Sequence, residues 1–211
     1  MTESSGGDKV IGVLLAGGLA RRMGGGDKCM RALAGRPLLE HLIDAVGPQV
    51  DAMILNANGD VDRFAAYGLP VVADVIEGYA GPLAGVLTGL DWAAENVPDA
   101  GWVVSLATDA PFVPADMVAR MMTAIMAEDA EIACAASGGR THPVFGLWPL
   151  GLCGDLRAAM INEDMRKIDM WTARYKLAVV EFEEANGRDP FFNVNRPENL
   201  AEAEQVLAGV G

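Results

Sequence analysis

Along the chain, short and nearly unbroken apolar runs alternate with longer stretches whose apolar residues recur at helical spacing. The first run, KVIGVLLA at 9–16, meets Gly17 and Gly18 at once, as a buried parallel strand feeding a loop would. Pro37 suits the first turn of a helix, where its missing N–H costs nothing, and LLEHLIDAV continues at helical spacing until Gly47 stops it. DAMILNAN predicts a second strand ending in polar Asn56 and Asn58, and LPVVAD a third ending at Asp74. GPLAGVLTGLDWAAE, from Gly81, predicts a loop and a helix, GWVVSLATDAP a fourth strand ending at Asp109, and PADMVARMMTAIMAE another amphipathic helix. Such alternation implies a mostly parallel sheet covered by helices on both faces.

Beyond Glu131 the rhythm changes. IACAA and PVFGLW read as strands joined through Gly138, Gly139 and Arg140 with no helix between them, so antiparallel pairing is expected in the C-terminal half. CGDLRAAMI and MRKIDMWTARY are expected as helices, KLAVVEF as a strand, and RPENLAEAEQVLAG as a closing helix with Pro197 near its start. No repeat or long linker divides the 211 residues, a length that suits one domain, with residues 1–8 as a flexible polar N-terminus.

Composition narrows the function classes. The chain is 51% hydrophobic and 21% charged, with a net charge of -13, which argues against a nucleic-acid binder or a protein held on an anionic membrane. Neither a secretory nor a transmembrane segment is expected, because the first apolar run is interrupted by Gly17 and Gly18. Cys29, Cys134 and Cys153 form no CxxC spacing, so neither a disulfide framework nor a zinc site is suggested, and a cytoplasmic location fits.

One basic stretch stands against this acidity. Between Arg21 and Arg36 lie Arg21, Arg22, Lys28, Arg31 and Arg36 against the single acid Asp27, a local charge of +4 in a chain whose remainder carries -17. Glycines here would let backbone N–H groups approach phosphate oxygens while Arg22 and Lys28 neutralise their charge. The loop fits neither GxxxxGK[ST] nor GxGxxG, and a flexible turn with solvated bases is the bland alternative. In a parallel sheet, ligands gather beyond the carboxyl ends of strands, which brings Asn56, Asp74 and Asp109 into view with the Gly17/Gly18 loop. Asp109, in LATDAPF, suits Mg²⁺, which takes one or two carboxylates plus substrate phosphates, or else caps the turn before Pro111.

LAGGLARRMGGGDK closely resembles the LAGGxxxRMGxxK signature of the molybdenum cofactor guanylyltransferases. GPLAG at 81–85, TDAPF around Asp109, HPVFGLW at 142–148 and NVNRPENL at 193–200 resemble later motifs of that family in the same order. The resemblance implies a three-layer, Rossmann-like nucleotidyltransferase fold. It implies transfer of GMP from GTP to molybdenum-loaded molybdopterin, with Mg²⁺ required and pyrophosphate released. It also implies small-molecule nucleotide and pterin substrates, molybdoenzyme-specific chaperones as partners, and a monomer or weak homo-oligomer.

By position, the resemblance assigns Leu15, Ala16, Gly17 and Gly18 to the nucleotide through their backbone, and Lys28, Asn56, Asp74 and Asp109 as further GTP contacts. Arg22, Lys28 and Asp109 carry the chemistry in this reading, with Asp109 on the metal. A turn-forming role is the lesser alternative for Asn56 and Asp74. By the same resemblance, Asn193 and Asn195 are expected to face the reacting phosphates or the metal, although Arg196 stands where the family often has threonine; Arg196 could instead meet a pterin phosphate. His142 is expected on the pterin side of the cleft with Arg140 as a phosphate contact, or else satisfies a turn before Pro143. Three alternatives remain: a cytidylyltransferase for the same cofactor, a sugar-phosphate nucleotidyltransferase, and a noncatalytic carrier of the finished cofactor.

Overall fold

Strand β1, Lys9–Leu15, is buried on both sides through its middle, as the centre of a covered sheet requires. The computed structural model describes residues 7–17, 27–76, 78, 81–184 and 189–207. β1 runs parallel to β4 (Ala52–Asn56) on one side and to β6 (Ala100–Ala107) on the other. Beyond β4 lies the short β5, Val71–Val72. Beyond β6 come β8 (Arg140–Pro149), β7 (Ile132–Ser137) and β9 (Leu177–Glu181). The seven strands take the order β5-β4-β1-β6-β8-β7-β9, with β8 antiparallel to both neighbours and the remaining pairs parallel.

Side-chain alternation along β1 assigns the two cores. Val10 and Leu14 face a layer formed with α1 (Leu38–Val46) and α3 (Met117–Glu128), whereas Ile11 and Val13 face α2 (Pro82–Asn96), α4 (Cys153–Asn162) and α5 (Ile168–Thr172). The result is the expected three-layer α/β arrangement, and within the seven-stranded sheet the antiparallel pairing is that of β8, in the C-terminal half. Gly85 and Gly89, one helical turn apart on α2, let that helix lie directly on the sheet. A methyl group on Gly89 would collide with Val13, and one on Gly85 with Leu15 and Asn56.

Several local details differ from the sequence reading. Pro37 does not enter the helix: it pairs with Ala32 in a small hairpin of β2 (Ala32–Leu33) and β3 (Arg36–Pro37). The turn residues Ala34 and Gly35 both have positive φ, 50° and 80°, the geometry favoured in two-residue hairpin loops. The α-helix does end at Val46, with Gly47 as its C-cap as expected, but Gly47 stays right-handed and leads straight into a 3-10 turn at Gly47–Gln49. The strand expected to reach Asp109 ends at Ala107, and the helix expected over 165–175 is confined to Ile168–Thr172. A third, smaller apolar cluster joins Leu33 and Leu38 to Val194 and to Ala203 of α6 (Pro197–Leu207), returning the end of the described chain to its first hairpin.

Within the core, Trp148 donates its indole N–H to Ser105 Oγ at 2.9 Å, and Ser105 donates to the Val144 carbonyl at 2.6 Å. Both side chains are buried, so removing the hydroxyl strands a donor that water cannot reach. Ser105→Ala should therefore cost about 1–3 kcal/mol of stability. Urea unfolding should show a lower midpoint with an unchanged slope.

Candidate active site

At the carboxyl edge of the sheet, Leu15 of β1 stands level with Asn56 of β4 and with Ala107 of β6. The chain moves from β1 to β4 and β5 on one side and later places β6 on the other, so the strand order reverses about β1 and a crevice is expected outside the carboxyl ends of β1 and β6. A cleft of about 890 Å³ occupies it, lined among others by Leu15, Gly17, Lys28, Asn56, Asp74, Asp109 and Asn193. Seven of the residues expected from sequence thus converge on one space. Gly18 and Arg22, both assigned to the nucleotide phosphates, lie outside the described residues.

Lys28 opens a 3-10 turn, Lys28–Met30. Its ammonium lies 3.4 Å from an Asp109 carboxylate oxygen and donates to Asn195 Oδ1. Asp109 is also tied through its backbone, its carbonyl accepting the Val194 N–H at 2.8 Å. Thr108 donates its hydroxyl to the Leu15 carbonyl at 3.0 Å, locking the loop after β6 to the end of β1. Ala16 is buried, and its N–H bonds the Asn56 carbonyl at 2.9 Å, extending the β1–β4 ladder to the mouth of the cleft.

At the other end of the cleft, two asparagines hold one aspartate. Asn56 Nδ2 donates to Asp74 Oδ1 at 2.9 Å and to the Val72 carbonyl at 3.1 Å, while Asn58 Nδ2 donates to Asp74 Oδ2 at 2.8 Å. Asn58 Oδ1 in turn accepts the Asp74 N–H at 2.9 Å. Asn58 was legible as a polar strand end but not as a partner of Asp74, a pairing that depends on β4 and β5 lying side by side. The amino end of α2, at Gly81 and Pro82, faces the same cleft and turns the positive end of a fifteen-residue helix towards it.

His142 is not among the residues lining the cleft; its side chain is only 9% exposed and packs between Phe191, 5.0 Å away, and Phe145, 6.5 Å away. Ser137 Oγ sits 2.7 Å from both His142 Nε2 and Asp189 Oδ1. A carboxylate only accepts, so the serine hydrogen points to Asp189 and His142 carries its own hydrogen on Nε2. Asp189 also accepts the Phe191 N–H at 2.8 Å, anchoring the segment that leads to Asn193 and Asn195. Arg140 is exposed beside the Gly138–Gly139 turn, and Arg196 is exposed just before α6. Burial pushes the Cys29 and Cys153 thiols up to about 12 and Cys134 to about 11, so none of the three offers a thiolate nucleophile near neutral pH.

Among the described residues no three His, Cys, Asp or Glu side chains gather around a metal-sized space. Of the two carboxylates that line the cleft, Asp74 is held by Asn56 and Asn58, which leaves at the Lys28 end one hard carboxylate, Asp109, with Asn193 lining the same cleft. That composition fits a divalent cation that draws most of its ligands from water and phosphate, as Mg²⁺ does.

The model of the MobA-like NTP transferase domain family matches residues 12–176. A molybdenum cofactor guanylyltransferase of Bradyrhizobium sp. (strain ORS 278) is 59% identical over 199 residues, covering 94% of this chain and 93% of its own. The chain belongs to the molybdenum cofactor guanylyltransferase family. Its fold recurs in molybdopterin-guanine dinucleotide biosynthesis protein A from Archaeoglobus fulgidus, with a TM-score of 0.71, 21% identity, and coverage of 94% of this chain and 99% of that one. It recurs equally in a CMP:2-keto-3-deoxy-manno-octonic acid synthetase complexed with CTP, with a TM-score of 0.72, 11% identity, and coverage of 96% and 99%. The fold alone therefore does not select the base.

Burial holds the His142 pKa below its ordinary 6.5, opposed by the charge of Asp189, aided by Arg140 and opposed by Glu181. Between the folded and unfolded values the unfolded chain binds the extra proton, so stability falls as the pH drops below about 6.5. His142→Gln should flatten that part of the melting-temperature profile and leave the carboxylate-driven loss at lower pH in place.

Proposed function

We propose that this enzyme transfers GMP from GTP to the terminal phosphate of molybdenum-loaded molybdopterin, releasing pyrophosphate, in one domain and in the cytoplasm. The observation that carries the reading is the meeting of Lys28, Asp109 and Asn195 at the floor of a cleft whose far wall is Asn56, Asn58 and Asp74. One end offers charge for phosphates, the other fixed donors and acceptors for a nucleoside. The volume of about 890 Å³ leaves space for a second substrate beside the nucleotide.

In the reaction, an oxygen of the pterin phosphate attacks the α-phosphorus of GTP, one P–O bond forms, and the bond to the β-phosphate oxygen breaks with its electron pair leaving on pyrophosphate. No protein nucleophile is required, consistent with thiols held protonated by burial. Lys28 neutralises charge gathering on the leaving group, with Arg22 and loop N–H groups as its expected helpers. Leu15, Ala16, Gly17 and Gly18 present backbone to the nucleotide, and Asn56 and Asp74 orient its sugar and base. Asn193 and Asn195 extend from the segment bound to Asp109 towards the reacting phosphates. Asp109, with those asparagines, would hold Mg²⁺ together with substrate phosphates, and the metal would supply charge neutralisation there. We assign the exposed Arg140 to the pterin side, whereas His142, buried away from the cleft lining, acts through Ser137 and Phe191 on the segment that leads to Asn193. No helix of the described residues is long and apolar enough to cross a membrane.

The wild type should release pyrophosphate with GTP, Mg²⁺ and the molybdenum-loaded pterin together, and not when CTP replaces GTP; equal turnover with CTP would overturn the guanylyl assignment. Asp109→Ala should lower turnover by about 10²-fold or more while the far-ultraviolet circular dichroism stays that of the wild type. Unchanged cofactor assembly in that variant would favour a noncatalytic carrier. Gly85→Ala, which drives a methyl group onto Asn56, should raise the GTP Kd about tenfold with little loss of kcat.

A further inference from the structure

Arg63 lies in a 3-10 stretch, Asp62–Tyr67, outside every motif of the family resemblance and outside the residues lining the cleft. Its Nε donates to Asp27 Oδ2 at 2.7 Å, Nη2 to the Asn58 carbonyl at 2.9 Å, and Nη1 to the Asp60 carbonyl. The guanidinium also lies over the buried Phe64 ring, 4.5 Å from its centroid, and the ion pair with Asp27 is largely sheltered, at 27% and 15% side-chain exposure.

The two groups it joins sit at opposite ends of the site. Asp27 immediately precedes Lys28, and its carbonyl accepts the Met30 N–H at 3.2 Å within the turn that carries that lysine. Asn58 holds Asp74 by two hydrogen bonds, and Asp74 is shared with Asn56. We propose that Arg63 is a positioning residue that braces the phosphate end of the cleft, at Lys28, against its nucleoside end, at Asn58 and Asp74. This rests on the nucleotidyltransferase reading of the cleft.

The brace depends on the planar fork of arginine. A lysine keeps the charge opposite Asp27 but cannot reach a carboxylate and two carbonyls in three fixed directions. A simple charge pair would be restored by lysine, whereas a brace would not.

The test compares Arg63→Ala, Arg63→Lys, Asp27→Asn and the double variant Arg63→Ala/Asp27→Asn with the wild type, using whichever nucleoside triphosphate the wild type turns over. Arg63→Ala and Arg63→Lys should both raise the nucleotide KM about tenfold and lower kcat about tenfold or more, since small misplacement of reacting groups is costly. The double variant should match Arg63→Ala within about twofold, because both changes break one link. Hydrogen exchange at 27–31 and 57–62 should quicken in Arg63→Ala while 132–149 stays unchanged.

Wild-type kinetics in Arg63→Ala, full recovery in Arg63→Lys, multiplicative losses in the double variant, or unchanged exchange at 27–31 would each overturn the brace. A wild type that turns over no nucleotide would sink the proposed function instead, and the exchange measurement would then decide the brace by itself.

Discussion

One ammonium group gathers parts of the chain that are far apart in sequence. Lys28 reaches Asp109, 81 residues on, and Asn195, 167 residues on, so the loop after β1, the loop after β6 and the segment before α6 share a single polar junction. The junction lies at the end of a sheet whose central strands, β1 and β6, are buried on both faces, where polar groups are driven to the strand ends because they find no partner within the core. The cleft follows from that constraint and from the reversal of strand order around β1.

Two further arrangements keep the junction in place. On one side, the apolar cluster of Leu33, Leu38, Val194 and Ala203 fastens the 193–195 segment to the first hairpin. On the other, Ser137, Asp189 and Phe191 seat the approach to that segment beside His142, Phe145 and Phe182. Asn193 is thus offered to the cleft, and Asn195 to Lys28, by packing that takes place behind them. At the nucleoside end, Gly85 has the same kind of influence, since the absence of its side chain is what lets Asn56 keep its place against α2.

The expectations differed in how closely they depended on distant neighbours. Leu15, Gly17, Lys28, Asn56, Asp74, Asp109 and Asn193 all line the cleft, because each closes an apolar run or belongs to a motif with local character. His142 stands apart: its position beside Pro143 says nothing of Ser137 or Asp189, which reach it only through the β7–β8 hairpin and the 189–191 turn. Arg63 was invisible for the same reason. DRFAAY carries no motif, and its three acceptors lie in two loops that only the sheet brings together.

The amino-acid sequence by itself determined the alternation of strands and helices, the family, and the polar residues that close the strands, since each is written in local apolar periodicity or in short motifs. Only the tertiary structure decided the sheet order, the pairing of Lys28 with Asp109 and Asn195, the sharing of Asp74 by two asparagines, and the place of His142 and Arg63. Those contacts join residues from about 16 to 167 positions apart, apart from the Ser137–His142 and Arg63–loop contacts, which close only once their turns have formed. A hydrogen bond needs its donor and acceptor within about 3.5 Å, a distance that local spacing does not encode when the chain between them must first fold around a common core.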